Sequence, residues 1–121
     1  MSTTAQKLTL PQAFELARRL QGDGQLDDAR KLYERLLHFQ PNHPGALTML
    51  ASIAYQQGKD IQADAYIDRA NALYADILRQ RPDDTQIRAA LVNQLLARGQ
   101  RDQAERYALD LGLQMNPVRS D

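Results

Sequence analysis

Three kinds of residue recur in fixed order along this chain, and no other feature narrows its fold as sharply. Gly24, Gly58 and Gly99 stand 34 and then 41 residues apart. Ala29, Ala63 and Ala104 each follow a glycine by five residues, and Pro41, Pro82 and Pro117 close the three segments. Self-similarity at such a period marks supersecondary units that stack on one another. The stretches between the marks are periodic in the helical sense. Phe14, Leu16, Ala17 and Leu20 precede the first glycine; Leu47, Leu50, Ala51 and Ala54 precede the second; Ile87, Leu91, Leu95 and Leu96 precede the third. A second helix follows each glycine, in the first unit through Leu26, Ala29, Leu32, Tyr33, Leu36 and Leu37. Thr9 with Gln12 has the pattern of a capping box, and Asn42, Asp83 or Asp84 can start the later first helices. No run alternates with period two, so the expected fold is all-α.

The second interval exceeds the first by seven residues, and the excess falls after Ala63. From there Ala63, Tyr66, Ile67, Ala70, Leu73, Tyr74, Ile77 and Leu78 keep one helical phase without a break. Seven residues add about two turns, roughly 10 Å, and leave the apolar stripe facing one way. The spacing predicts one return helix from near Asp60 to Gln80, beside a shorter first helix from about Pro44 to Gln57. Leu73, Tyr74, Ile77 and Leu78 then lack full cover from their own unit. Either the third unit's first helix, starting near Asp84, lies beside them, or they meet a second copy of the chain in a homo-dimer.

Composition excludes several functions. Fifteen Lys+Arg balance fifteen Asp+Glu and are spread along the chain, which argues against nucleic acid as a partner. There is no cysteine, so disulfides and thiolate chemistry are excluded. No apolar stretch approaches the ~20 residues that span a bilayer, and MSTTAQKLTL does not read as a signal peptide. A soluble, cytoplasmic protein without a membrane partner is expected. His38 and His43 flank Pro41 without metal-ligand spacing, the three serines lie in no nucleophile turn, and the glycines make no phosphate-cradling loop. No catalytic, cofactor or metal site can be assembled, and the expectation is that the chain is not an enzyme. Glu15–Arg19, Asp27–Lys31, Arg30–Glu34 and Asp102–Arg106 are opposite charges four apart, as on solvated helix faces.

The period of 34 and its punctuation resemble the tetratricopeptide repeat. In the first unit Ala13, Leu16, Ala17 and Leu20 take the family's large, leucine, small and large positions, with Ala29, Tyr33 and Pro41 after them. Leu47, Leu50, Ala51, Ala54, Ala63 and Ile67 serve in the second unit. Arg88, Leu91, Val92, Leu95, Ala104 and Ala108 serve in the third, which departs from the pattern at Arg88 and Val92. The resemblance implies an α-α superhelix of three antiparallel helical hairpins, the second with a return helix about two turns longer. Its units would be 10–43, 44–84 and 85–117 within a domain of residues 9–117, between flexible ends 1–8 and 118–121.

The resemblance also implies a function, a scaffold that binds a partner protein or peptide in a concave groove. Phe14, Arg18, Gln21, Thr48, Ser52, Tyr55, Gln56, Gln86, Ala89 and Asn93 would line it. Some members hold the terminal carboxylate of heat-shock chaperones with paired basic and amide side chains. The corresponding positions here are Phe14, Arg18, Met49, Gln86 and Ala90, of which one is basic, so that activity is not expected. The sequence stops soon after the third unit, leaving Leu109, Leu111 and Leu113 without an evident partner. The alternative is therefore a regulatory or substrate-presenting domain from a larger enzyme.

Overall fold

The structure, a computed structural model, describes residues 7–115, with side chains described as far as residue 109. Six helices follow in order: α1 (Leu10–Gly22), α2 (Leu26–Phe39), α3 (Pro44–Gln56), α4 (Asp60–Gln80), α5 (Thr85–Ala97) and α6 (Arg101–Met115). There is no strand among the described residues. The longer return helix is present as a single 21-residue α4. The chain divides into two compact units, Met1–Tyr66 and Ile67–Asp121, and the boundary falls inside α4.

The glycine punctuation has one structural meaning, repeated three times. Gly24, Gly58 and Gly99 have φ of 82°, 76° and 78°. At each, the glycine N–H donates to a carbonyl three residues back, and the next residue's N–H donates to one five back. Gly24 bonds Gln21 and Gln25 bonds Leu20; Gly58 bonds Tyr55 and Lys59 bonds Ala54; Gly99 bonds Leu96 and Gln100 bonds Leu95. This paired closure satisfies carbonyls that a helix end otherwise leaves unmet. The residue after each glycine then starts the next helix. Carbonyls of Gln25, Lys59 and Gln100 accept the N–H of Ala29, Ala63 and Ala104, and each alanine is buried in that first turn, where a larger side chain would not fit.

Other helix starts are set by side chains. Thr9 and Gln12 form the reciprocal capping box at α1. The α3 cap is His43 in place of Asn42: its Nδ1 accepts the Ala46 N–H at 3.0 Å. Asp84 caps α5 by accepting the Ile87 N–H at 3.1 Å.

In the first unit α1 packs on α2, α2 on α3, and α1 also touches α3. Ala13, Ala17, Ala29 and Ala46 let the backbones approach, and Tyr33, Leu36, Leu50 and Ile53 fill the space between. Burying each large apolar side chain contributes about 1.5–3 kcal/mol before entropy is counted. Leu16 and Leu96 fit the helical spacing in the sequence, yet they are 40% and 49% exposed. Each adjoins a fully committed core position, Ala17 or Leu95, and neighbours on a helix diverge by about 100°.

In the second unit α5 packs on α6, and Arg88 occupies a position where large apolar residues are usual. It is 5% exposed and donates to the carbonyls of Pro82 at 2.8 Å and Tyr107 at 3.3 Å. The side chain thus ties the segment after α4 to α6 with hydrogen bonds where apolar packing would be usual.

On the surface Arg30–Glu34 forms as expected at 3.1 Å, but Glu15 pairs with Arg18 and Asp27 with Arg30, each three residues away. In α6 Arg101 pairs with Glu105. Such pairs contribute little to stability.

The turn geometry can be tested with two glycines that differ only in backbone. A Cβ on Gly22 or Gly58 meets no heavy atom within 4 Å, but only Gly58 has positive φ. Gly58→Ala should cost about 1–2 kcal/mol in urea unfolding. Gly22→Ala, inside α1, should gain about 0.5 kcal/mol.

Candidate functional site

Helical spacing places the candidate binding residues in stripes. Phe14, Arg18 and Gln21 step by four and three along α1, and Thr48, Ser52 and Tyr55 do the same along α3. Because α1 and α3 touch, these two stripes are neighbours. Gln86, Ala89 and Asn93 form the corresponding stripe on α5 in the second unit, and all three are exposed.

The α1–α3 face is organised from beneath. The buried Tyr33 hydroxyl of α2 donates to Gln21 Oε1 at 3.3 Å, and Gln21 Nε2 donates to Ser52 Oγ at 3.1 Å. One relay of hydrogen bonds therefore links α2, α1 and α3, and it fixes Gln21 and Ser52 in place. Phe14 is half-buried, edge-on to Tyr33 at 5.7 Å and stacked on the His43 imidazole at 5.4 Å. The Thr48 hydroxyl donates to the Pro44 carbonyl at 2.9 Å within α3. Phe14, Gln21, Thr48 and Ser52 thus make up the foundation of the face.

Arg18, Tyr55 and Gln56 are exposed above that foundation. Arg18 is held by Glu15 at 3.3 Å, and the Tyr55 hydroxyl donates to the Asp64 carboxylate of α4. Asp64 was not legible as part of the site, because nothing in the local sequence pairs it with a tyrosine nine residues earlier. The surface can therefore offer hydrogen bonds and one guanidinium, but no concentrated charge.

The apolar stripe of α4 is unevenly covered within a single chain. Tyr74 and Leu78 are buried, whereas Leu73 and Ile77 are half-buried. Leu109 on α6 is 61% exposed; Leu111 and Leu113 lie outside the residues whose side chains are described. Among the described residues no three His, Asp or Glu side chains gather as a metal would require. No described helix is long and apolar enough to cross a membrane.

Residues 12–53 match the family model described as Tetratricopeptide repeat, covering nearly all of α1 and α2 and most of α3. Over those residues, about a third of the chain, the sequence is similar to a tetratricopeptide repeat. Repeats of this family generally mediate protein–protein interaction, and the family is a non-catalytic scaffold. No curated protein matches the chain. The glycine closures at Gly58 and Gly99 carry the same turn beyond the matched residues.

Tyr33 is a titratable group that the fold clearly perturbs. Burial pushes its hydroxyl from 10.0 up to about 12; Glu15 adds to the rise and Arg18 opposes it. Between those two values the folded chain keeps a proton that the unfolded chain has released. The Tyr33 contribution to stability is therefore complete below pH 10.0 and lost as the pH rises towards about 12. Urea midpoints measured across that range should fall with pH, and Tyr33→Phe should flatten the fall. The same variant should lose about 1 kcal/mol at neutral pH, for the hydrogen bond to Gln21.

Proposed function

We propose that this chain is a protein-interaction module that takes an extended partner peptide along the face built by α1 and α3. The observation that carries this reading is the contrast between foundation and surface. The Tyr33–Gln21–Ser52 relay fixes the floor, while Arg18, Tyr55 and Gln56 remain exposed above it. A preorganised polar face loses little entropy on binding, and amide, phenol and guanidinium groups suit the N–H and C=O groups of an extended chain. Gln86, Ala89 and Asn93 form the corresponding exposed stripe on α5 of the second unit, a binding surface of that unit by itself. The formal charge of zero favours a peptide recognised through its main chain over one recognised through charge.

Self-association through the α4 stripe has less support. Tyr74 and Leu78 are already covered within one chain, which leaves parts of Leu73 and Ile77 for a second copy. A stable dimer needs a larger apolar area than two half-buried side chains provide.

Pull-down from lysate with the intact protein tests the proposal. Arg18→Glu and Tyr55→Ala should each reduce the same captured band by about tenfold, as expected for side chains at the centre of an interface. Ile61→Glu, on a residue that is 88% exposed in α4, should leave it unchanged. Retention of the band by both face variants would refute the proposed face.

A further inference from the structure

A cavity of about 280 Å³ lies in the second unit among α4, α5 and α6. Its floor is Leu91 and Leu95 of α5, and Asn71, Ala72 and Ala75 of α4 form one wall. Gln100, Gln103 and Tyr107 of α6 form the other.

The first unit contains the same seam, which serves as an internal control. Lys59, Gln62 and Tyr66 stand one, four and eight residues after Gly58, as Gln100, Gln103 and Tyr107 stand after Gly99. Leu50 and Ala54 precede Gly58 by the same intervals as Leu91 and Leu95 precede Gly99. Yet the earlier seam encloses only about 100 Å³, and the Arg30–Glu34 pair lines it.

The difference comes from the second return helix. Asn71 and Ala75 precede Gly99 by 28 and 24 residues; the positions equally far before Gly58 are Arg30 and Glu34. Arg30 and Glu34 line the earlier seam and close it as an ion pair. In the later seam α4 supplies one amide and one methyl group at those two positions, and the space stays open.

That amide is the second observation. Asn71 is 8% exposed, and neither its Nδ2 nor its Oδ1 has a hydrogen-bond partner among the described residues. A buried amide with both ends unmet is costly, and native structures rarely keep one without a use. One water occupies only about 30 Å³, so the cavity has room for more than a bridging water.

We propose that this cavity binds one extended residue of a partner polypeptide, with its main chain paired to Asn71. An extended residue presents its N–H and C=O side by side, as in a strand ladder. Asn71 offers the complement: Oδ1 accepts the N–H and Nδ2 donates to the C=O. A small aliphatic side chain of that residue lies on Leu91, Leu95 and Ala75, while the Gln103 amide and the Tyr107 hydroxyl reach the next peptide group. The ligand is uncharged there, because Asp68 at the edge is already bound by Arg98 through two hydrogen bonds of 3.1 and 3.2 Å.

Leu91 and Leu95 lie on the side of α5 opposite Gln86, Ala89 and Asn93, at about 100° of rotation per residue. The site is thus separate from the face proposed above. Variants at Arg18 and Tyr55 test that face and leave this cavity intact, so either reading can fail alone.

The test uses the full chain, nitrogen-labelled, with N-acetyl-leucine N-methylamide as the peptide probe. Titration should shift the Asn71 side-chain amide and the backbone amides of Ala75, Leu95 and Gln103 to saturation. Asn71→Leu, which keeps a similar side-chain size and removes both ends of the amide, should stay folded and weaken the probe by about tenfold or more. Ala72→Phe leaves Asn71 in place and blocks the rim. It must also abolish the shifts, and it decides the matter should Asn71→Leu disturb the fold. An Asn71 amide that ignores the probe, or that contacts only water at saturating probe, overturns the proposal. So does unchanged affinity in both variants.

Discussion

A helix that simply stops leaves its last carbonyls facing outward, and water or a neighbour must satisfy them. In this chain the backbone turns back on itself instead, through a residue of positive φ, and the N–H groups of that residue and the next meet those carbonyls. Only glycine adopts that conformation without steric cost. Because the same two bonds form at Gly24, Gly58 and Gly99, each second helix starts in the same register relative to the first. Register decides which side chains meet. It brings Ala29, Ala63 and Ala104 to buried crossings where a larger side chain would force the backbones apart. The packing of Tyr33, Leu36, Leu50 and Ile53 follows from that approach, and so does the contact between α1 and α3 that makes a shared face.

Polar groups define what the apolar core leaves undecided. Alanine and leucine bring helices together but permit small slides between them, whereas hydrogen bonds at fixed geometry do not. The Tyr33–Gln21–Ser52 relay holds three helices of the first unit in one arrangement, and Arg88 holds the Pro82 and Tyr107 carbonyls in the second. These buried or half-buried side chains make hydrogen bonds that rigidify their surroundings, although the Arg88 Nε itself is without a partner among the described residues. Asn71 is buried to a similar degree without such partners. The contrast between Asn71 and Arg30, at equal distances before Gly99 and Gly58, turns a general property of repeats into a specific claim. Repetition sets the expected residue, and the departure from it identifies where a unit does something of its own.

Much of the secondary structure was legible because its signals are local. The capping box at Thr9, the acid at Asp84 and the unbroken stripe from Ala63 to Leu78 act within a few residues of chain. The bounds of α4 could be read because seven added residues preserve helical phase. Where the reading slipped, the cause was a choice between neighbours. Leu16 and Leu96 satisfied the same spacing as residues that are buried, but a neighbour of a core position is covered only where another segment also packs on its side, as at Leu50 and Ala51. His43 replaced Asn42 as a cap because its ring also stacks on Phe14, a contact between residues 29 apart in sequence.

The candidate face was legible as stripes of residues but not as chemistry. Sequence placed Gln21 and Ser52 at matching positions on separate helices; it could not show that one donates to the other or that Tyr33 rises beneath them. The stripe of α4 was visible, yet the covering of Tyr74 and Leu78 and the partial exposure of Leu73 and Ile77 depend on neighbours far along the chain. The sequence alone determined helices, their caps, the glycine turns and the register those turns impose, since each rests on backbone sterics and hydrogen bonds between near neighbours. Which polar groups are satisfied, and which of them lines a cavity with both ends of its amide unmet, was decided only by the tertiary structure, because burial and hydrogen-bond pairing are properties of segments brought together in space.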